Sequence, residues 1–403
     1  MTRRSIAIPI ITALTLLTAC GGKTEPTTPA ATSAPVITTA ATTDATPETE
    51  KTTEASAETE AEETTTEETT VELSPPERAI VPPEDELIVQ YDAALGGAVI
   101  EGYTGTEPDI RLPDMIGEDK VLQVYITDNN KKVKTLIIPE GVTDVYCKHF
   151  QNLEYVELPS TVTELSENAF QDCEHLSYIN LDNITVFGER CLEDCNIDHI
   201  DWADEVTYIG AYAFTGSGIT EVEVPFITPQ IVENEKNDCT YWNANIGEGI
   251  FMNCYELTKA TVHNTIFKGG FCGCKSLEEI NFICDDENYY SYQADYNGKD
   301  ATQYYMTINE NALNHCDALT TVNFVNCEDT FIGKKAFYNC TSLRTLDLSN
   351  VDNVIWIADN AFEECPALTV TYNGKEYNHT NFDELYAIFS NVDDVYSVNL
   401  LTD

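Results

Sequence analysis

Apolar residues recur along this chain at two nested spacings. Nine anchors, Phe150, Phe170, Leu192, Phe214, Phe251, Phe271, Leu313, Phe337 and Phe362, each follow another apolar residue by five positions. Those partners are Val145, Leu165, Phe187, Ile209, Ile246, Ile266, Ile308, Ile332 and Ile357. Consecutive anchors stand 20, 22, 22, 37, 20, 42, 24 and 25 residues apart, which is one basic period with two long insertions. Three positions after the anchor comes a cysteine in seven units (Cys173, Cys195, Cys254, Cys274, Cys316, Cys340 and Cys365) and a serine, Ser217, in another. A unit this short cannot bury its own apolar face, so neighbouring units must stack to do it. The pattern predicts a solenoid.

Within one unit the period changes twice. Leu176-Ser-Tyr-Ile-Asn-Leu181 ends in strand alternation, and the same pattern recurs at 153–158, 219–224, 257–262, 277–282, 319–324 and 343–348. Pro159 and Pro225 close two of these strands, because proline cannot donate to a ladder. A second short extended piece follows, as in Val162–Leu165 and Val206–Ile209, and then a tight helical or 3-10 turn carrying Ala-Phe-x-x-Cys. At the far end Val370–Tyr377 reads as a hairpin about Asn373-Gly374, whose turn demands positive φ. Phe382, Leu385 and Phe389 share one helical face after a cap at Asn381, so 381–390 is expected to seal the last rung.

These features in step, apolar spacing, Ala-Phe-x-x-Cys and Leu-Pro, resemble the BspA-like (Treponema pallidum-type) leucine-rich repeats of bacterial surface lipoproteins, over roughly residues 90–378. The fold the resemblance implies is a leucine-rich repeat solenoid: β-rich α/β, a curved parallel sheet with short helical or 3-10 turns. Ile100–Gly105 followed by Ile110-Arg-Leu-Pro113 resembles the divergent first repeat of such arrays. The chain departs from the family at Leu153, where three residues are missing, and at the two insertions, near 226–245 and 285–307. The resemblance also implies surface exposure and adhesion to a host matrix protein, a mucin glycan or a neighbouring bacterial surface.

The ends divide the rest. Arg3-Arg4, an apolar run and Leu17-Thr-Ala-Cys20 form an export signal over 1–19, with Cys20 resembling the lipidated cysteine of bacterial lipoproteins. An ordinary secretory signal with a chance cysteine is the plainer alternative. Residues 24–70 lack Gly, Leu, Cys and aromatics and carry 11 acidic residues against one lysine. Too little apolar surface is available to offset ordering entropy, so 20–79 is expected to be a disordered N-terminal stalk. The repeat domain then spans 80–369, the C-terminal hairpin plus helix cap 370–391 and a tail 392–403. No cofactor is expected.

Charge narrows the partners. The net charge is −48. Setting aside +3 from the first 23 residues and −10 from 24–70 leaves −41 on 71–403. That excludes a nucleic-acid footprint, which is basic, and disfavours direct adsorption on anionic lipid, leaving the acyl anchor as the membrane contact. Solubility alone would also explain such acidity. Thirteen cysteines follow Cys20, seven of them on the repeated position, where a buried thiol ladder suits better than staples. Any disulfide would come from the other six, with Cys284 and Cys327 one candidate pair because they follow equivalent strands.

Alternate strand positions face solvent and define the candidate surface: Tyr155 and Glu157, Tyr178 and Asn180, His199 and Asp201, Glu221 and Glu223. The second insertion adds Tyr289, Tyr290 and Tyr292, stiff contact groups of the kind enriched at interfaces. A solvated strand face would look the same. Asp295–Asp300 lacks the glycine position and terminal Glu of a calcium loop and reads as a turn, and Cys272 with Cys274 falls on the ladder, so no metal site is assigned. His-Glu-x-x-His, nucleophile-elbow and phosphate-loop spacings are absent. The reading is therefore a non-enzymatic binding protein. A structural envelope protein without a ligand is the alternative, and a carbohydrate-active enzyme hidden among the many carboxylates is a more distant one.

Overall fold

The computed structural model describes residues 74–126, 132–227, 230–234, 239–243, 245–263, 267–284, 292–295, 300–303, 306–327, 330–351 and 354–390. The chain divides into two units, 1–69 and 70–403. All described residues belong to the second; the signal, Cys20 and the tail from 392 lie outside them, as does nearly all of the stalk.

The second unit is a parallel-stranded solenoid. Its first-strand column holds Asp109–Arg111, Thr135–Ile137, Tyr155–Glu157 and Tyr178–Ile179, then Glu221–Val224, Lys259–His263, Glu279–Ile283 and Thr321–Val325, then Thr345–Asp347 and Thr369–Tyr372. The second column holds Glu164–Leu165, Val186–Phe187 and Tyr208–Ile209, and later Met306–Ile308, Thr330–Ile332 and Val354–Ile357. Rung pairs with rung in parallel throughout these columns. Among the described residues, antiparallel pairing occurs at the ends, in the insertions and between Met115–Ile116 and the start of Asp119–Tyr125. Leu87–Asp92 pairs with Gly97–Tyr103 at the N-terminal end, and Thr369–Tyr372 with Lys375–Asn378 at the other. Within the insertions, Gln230–Asn234 pairs with Cys239–Asn243, and Tyr292–Asp295 with Asp300–Gln303.

All nine anchors are buried, none more than 1% exposed. Their rings pile up: Phe214 stacks on Phe251 and Phe251 on Phe271, each at 5.5 Å between centroids. Of the residues five positions earlier, Val145, Leu165, Phe187, Ile209, Ile308, Ile332 and Ile357 are buried, Ile246 is half-buried, and Ile266 lies outside the described residues.

The turn that carries the anchor is where the structure adds most. The expected helical or 3-10 turn is a run of i−3 bonds made by every second amide, as in Ala169 to Ser166, Gln171 to Asn168 and Cys173 to Phe170. The intervening amides leave the rung altogether. Asn168, Phe170 and Asp172 donate to the carbonyls of Glu189, Cys191 and Glu193 in the next rung at 2.8–2.9 Å, and Arg190, Leu192 and Asp194 repeat the pattern to Ala211, Ala213 and Thr215. This alternation requires left-handed residues two before and two after the anchor. Asn168, Asp172, Arg190, Asp194, Asn253, Asn311, His315, Lys335 and Asn339 all have φ between 53° and 60°. Asn and Asp tolerate that region best among side-chain-bearing residues. Rungs approach closely here: a Cβ on Gly247 would collide with the backbone of Ala211.

The ladder thiols complete the turn. Each donates to the carbonyl of the preceding rung's anchor: Cys195 to Phe170, Cys254 to Phe214, Cys274 to Phe251, Cys316 to Phe271, Cys340 to Leu313 and Cys365 to Phe337, at 2.9–3.3 Å. Ser217 meets the Cys254 sulfur at 3.2 Å. Burial pushes the Cys195, Cys274, Cys316 and Cys340 thiols upward, so they remain protonated donors.

This pattern relocates the missing residues at Leu153. Cys147 and His149 donate to Ala169 and Gln171 as Phe170 and Asp172 donate one rung later, and Cys173 donates to the Cys147 carbonyl. Cys147 therefore occupies the anchor slot and Phe150 the ladder slot. The deletion falls between Val145 and the turn, and the ladder position is filled by a ring.

Two further local expectations are corrected. Residues 196–203 form no strand, so the first-strand sheet is interrupted between 178–179 and 221–224. Trp202 occupies the inward slot of Leu181 and Val224, half-buried and edge-on to Phe187 and Phe214 at 5.5 Å. At the helix Phe382–Phe389, Asn381 does not cap with its side chain. Its Oδ1 accepts the Asn378 amide at 2.7 Å instead, while Glu384 pairs with Lys375 at 2.8 Å.

Phe251→Ala is expected to cost about 3–5 kcal/mol by emptying a ring-lined slot. Cys274→Ala should cost about 1 kcal/mol by removing one donor from the Phe251 carbonyl, with Cys274→Ser intermediate. Urea unfolding checks the order; a Phe251→Ala midpoint equal to wild type would contradict the stacked core.

Candidate functional site

Because side chains alternate across a strand, burial of Val156, Ile179, Val222, Ala260 and Ile280 turns their neighbours outward. Register then places those neighbours in rows. Tyr155 lies beside Tyr178, and their rings stack at 4.5 Å and 12°. Tyr178 is 39% exposed, Tyr155 half-buried. Burial, followed by the charge of the Tyr178 hydroxyl and of Glu157, pushes the Tyr155 phenol up to about 12, so that phenol remains a neutral hydrogen-bonding group at ordinary pH. Tyr178 stands in the last strand of its sheet, where the interruption around Trp202 leaves no strand beside it.

The rest of the predicted face is engaged in different ways. Glu157 is half-buried next to this pair. Asn180 is occupied by the backbone, its amide and carbonyl bridging both polar groups of Leu158 at 3.0 and 2.7 Å. His199 sits in the interrupted stretch, held by Asp198 at 2.6 Å and facing Asp201 at 3.5 Å. The Asp198 bond holds its pKa above the ordinary imidazole value. Glu221 projects from its strand beside Lys259, and Glu223 reaches His263 at 2.9 Å.

From there the face satisfies itself. Lys259 pairs with Glu279 at 3.1 Å, Asn281 donates to Glu279 at 2.9 Å, and Asn323 donates to Asn281 at 2.7 Å. Asp198, the neighbour of His199 in sequence, and His263, the last outward position of its strand, were not singled out from sequence. Asn281 and Asn323 stand at equivalent repeat positions, and the register puts them in contact.

Tyr289 and Tyr290 lie outside the described residues; Tyr292 begins the first strand of the insertion hairpin, and Asp295 and Asp300 close the paired segments on either side of the predicted turn. A pocket of about 420 Å³ opens between the last rung and the helix 382–389, with Phe362, Tyr386 and His379 in its wall. Its carboxylates Asp359, Glu363 and Glu364 are exposed. Among the described residues no cluster of His, Cys, Asp or Glu could hold a metal ion, and no helix is long and apolar enough to cross a membrane.

The family model described as BspA type leucine rich repeat region matches in six copies, over residues 122–243, 240–299 and 286–391. Similar solved structures include a leucine-rich repeat protein from Bacteroides ovatus, 15% identical over 72% of this chain and 87% of that one, at TM-score 0.30. The leucine-rich repeat protein of T. pallidum is 18% identical over 66% and 91%, at TM-score 0.35. A leucine rich cell surface protein from Faecalibacterium prausnitzii is 17% identical over 74% and 95%, at TM-score 0.34. No curated protein matches. With six repeat copies matched across most of its length, the chain belongs to the BspA-type leucine-rich repeat family.

Proposed function

We propose that this chain is an exported, lipid-anchored surface protein whose strand face recognises a macromolecule, without catalysis. The Leu-x-Ala-Cys20 motif and the acidic, threonine-rich stalk support the anchoring. One observation carries the recognition: the stacked Tyr155–Tyr178 pair, partly exposed at an open sheet edge. Two stiff rings with hydroxyl tips offer apolar contact area at small entropic cost. Carboxylates on the same face, Glu157, Glu221 and Glu223, favour a cationic or neutral partner such as a basic patch of a host matrix protein, a mucin glycan or a neighbouring cell wall. Tyr289, Tyr290 and Tyr292 of the second insertion are further candidate contacts read from the sequence.

A second reading has its own support. The row Lys259, Glu279, Asn281 and Asn323 satisfies its polar groups internally, as a spacer without a ligand would.

A protein and glycan binding array separates the two. The recognition reading predicts discrete binding that Tyr155→Ala with Tyr178→Ala weakens at least tenfold, while a flat array favours the spacer. The His199 cluster supplies a pH signature: a proton titration followed by NMR should find its midpoint above the ordinary imidazole value and lowered in Asp198→Asn. Identical midpoints in the two proteins would contradict the Asp198 bond.

A further inference from the structure

Strands Glu279–Ile283 and Thr321–Val325 lie side by side in adjacent rungs, with Ile283 opposite Val325. Cys284 follows the first directly, and Cys327 follows the second after Asn326. Asn326 is left-handed, at φ 55°, and this turns the chain so that Cys327 returns inward. Both cysteines are buried, at 2% and 1% exposure. The Cys284 thiol points at the Cys327 sulfur, 3.1 Å away. The surroundings hold both in place: the Cys284 amide bonds the Val325 carbonyl at 3.0 Å, and the Cys327 sulfur lies 3.6 Å from the carbonyls of Phe282 and Val325. Each ladder thiol donates to a backbone carbonyl of the preceding turn at 2.9–3.3 Å.

We propose that Cys284 and Cys327 form an oxidisable dithiol that closes into a disulfide between adjacent rungs when the protein meets an oxidant. The two sulfurs already lie 3.1 Å apart, so closing to bonding distance needs a shift of only about 1 Å. The hydrogen bond from Cys284 lowers the Cys327 thiol, which makes Cys327 the attacking sulfur. The two thiols lose two protons and two electrons as the sulfur–sulfur bond forms. Dioxygen takes up both and leaves as hydrogen peroxide; diamide does the same in vitro and leaves as its hydrazine. The bond would join residues 43 apart and close the loop that contains the second insertion, restricting the unfolded chain.

The test is diamide treatment of the full chain, followed by alkylation under denaturing conditions and peptide mapping. Loss of two alkylatable thiols, a linked peptide pair containing Cys284 and Cys327, and a melting temperature raised by about 5 °C are expected. Full retention of thiols, or a link mapped to ladder cysteines such as Cys340 and Cys365, would overturn the proposal. Cys284→Ala treated in parallel should keep all its thiols and an unchanged melting temperature. A two-thiol loss in that variant would also overturn it. If Cys284→Ala does not fold, mapping of the wild-type chain decides alone.

Discussion

Every rung of this solenoid must dispose of the backbone amides in its turn, and the solution shapes the rest. A buried turn leaves N–H groups that are costly unless paired. Here every second one pairs within the rung and the others reach the next rung, so the turn column behaves as a third ladder beside the two strand columns. The left-handed residues flanking the anchor aim those amides, and the anchor ring fills the space beneath them. Thiols then supply a further donor to the anchor carbonyl, which explains why a small, weakly polar, bondable side chain recurs three positions on. Cysteine here is a packing and hydrogen-bonding residue, and Ser217, at the same position, meets the Cys254 sulfur of the next rung.

Such an array is stable only as a stack, because each rung touches its neighbours alone and the ends must be sealed. The Leu87–Asp92 and Gly97–Tyr103 hairpin closes one end. The other is closed by the Lys375–Asn378 strand and a helix whose Phe382, Leu385 and Phe389 are buried. Function is thereby pushed outward. Core positions are committed to stacking, and only outward strand positions and insertions are free to vary. The opening of the sheet at Trp202 is a consequence of packing that exposes Tyr178 at an edge, which links an interior substitution to the proposed recognition surface.

Much of this was legible from spacing. Burial of the anchors and of seven of their nine five-earlier partners follows from the repeat alone, as do the strand at Leu176–Leu181 and the hairpin at Asn373-Gly374. What spacing could not show depends on register between rungs. Cys147 in the anchor slot and Phe150 in the ladder slot become visible only when the inter-rung bonds are traced, because a three-residue loss shifts the pattern while leaving a Phe where one is expected. His199 and Asp201 read as outward strand positions, since alternation alone does not show whether neighbouring rungs pair there. Asn381 matched a helix cap by position, but the hairpin end at Asn378 competes for its side chain and wins. On the candidate face, the Tyr155–Tyr178 pairing could be anticipated from equivalent repeat positions. The engagement of Asn180 with Leu158 and of Glu223 with His263 could not, because each partner lies a rung away.

Amide hydrogen exchange resolved by residue tests the turn ladder most directly. Asn168, Phe170, Asp172, Arg190, Leu192 and Asp194 belong to no strand or helix, yet the account predicts exchange as slow as that of Val156 in the sheet. Exchange at these six amides as fast as in solvated loops would show that the rungs are not joined through their turns.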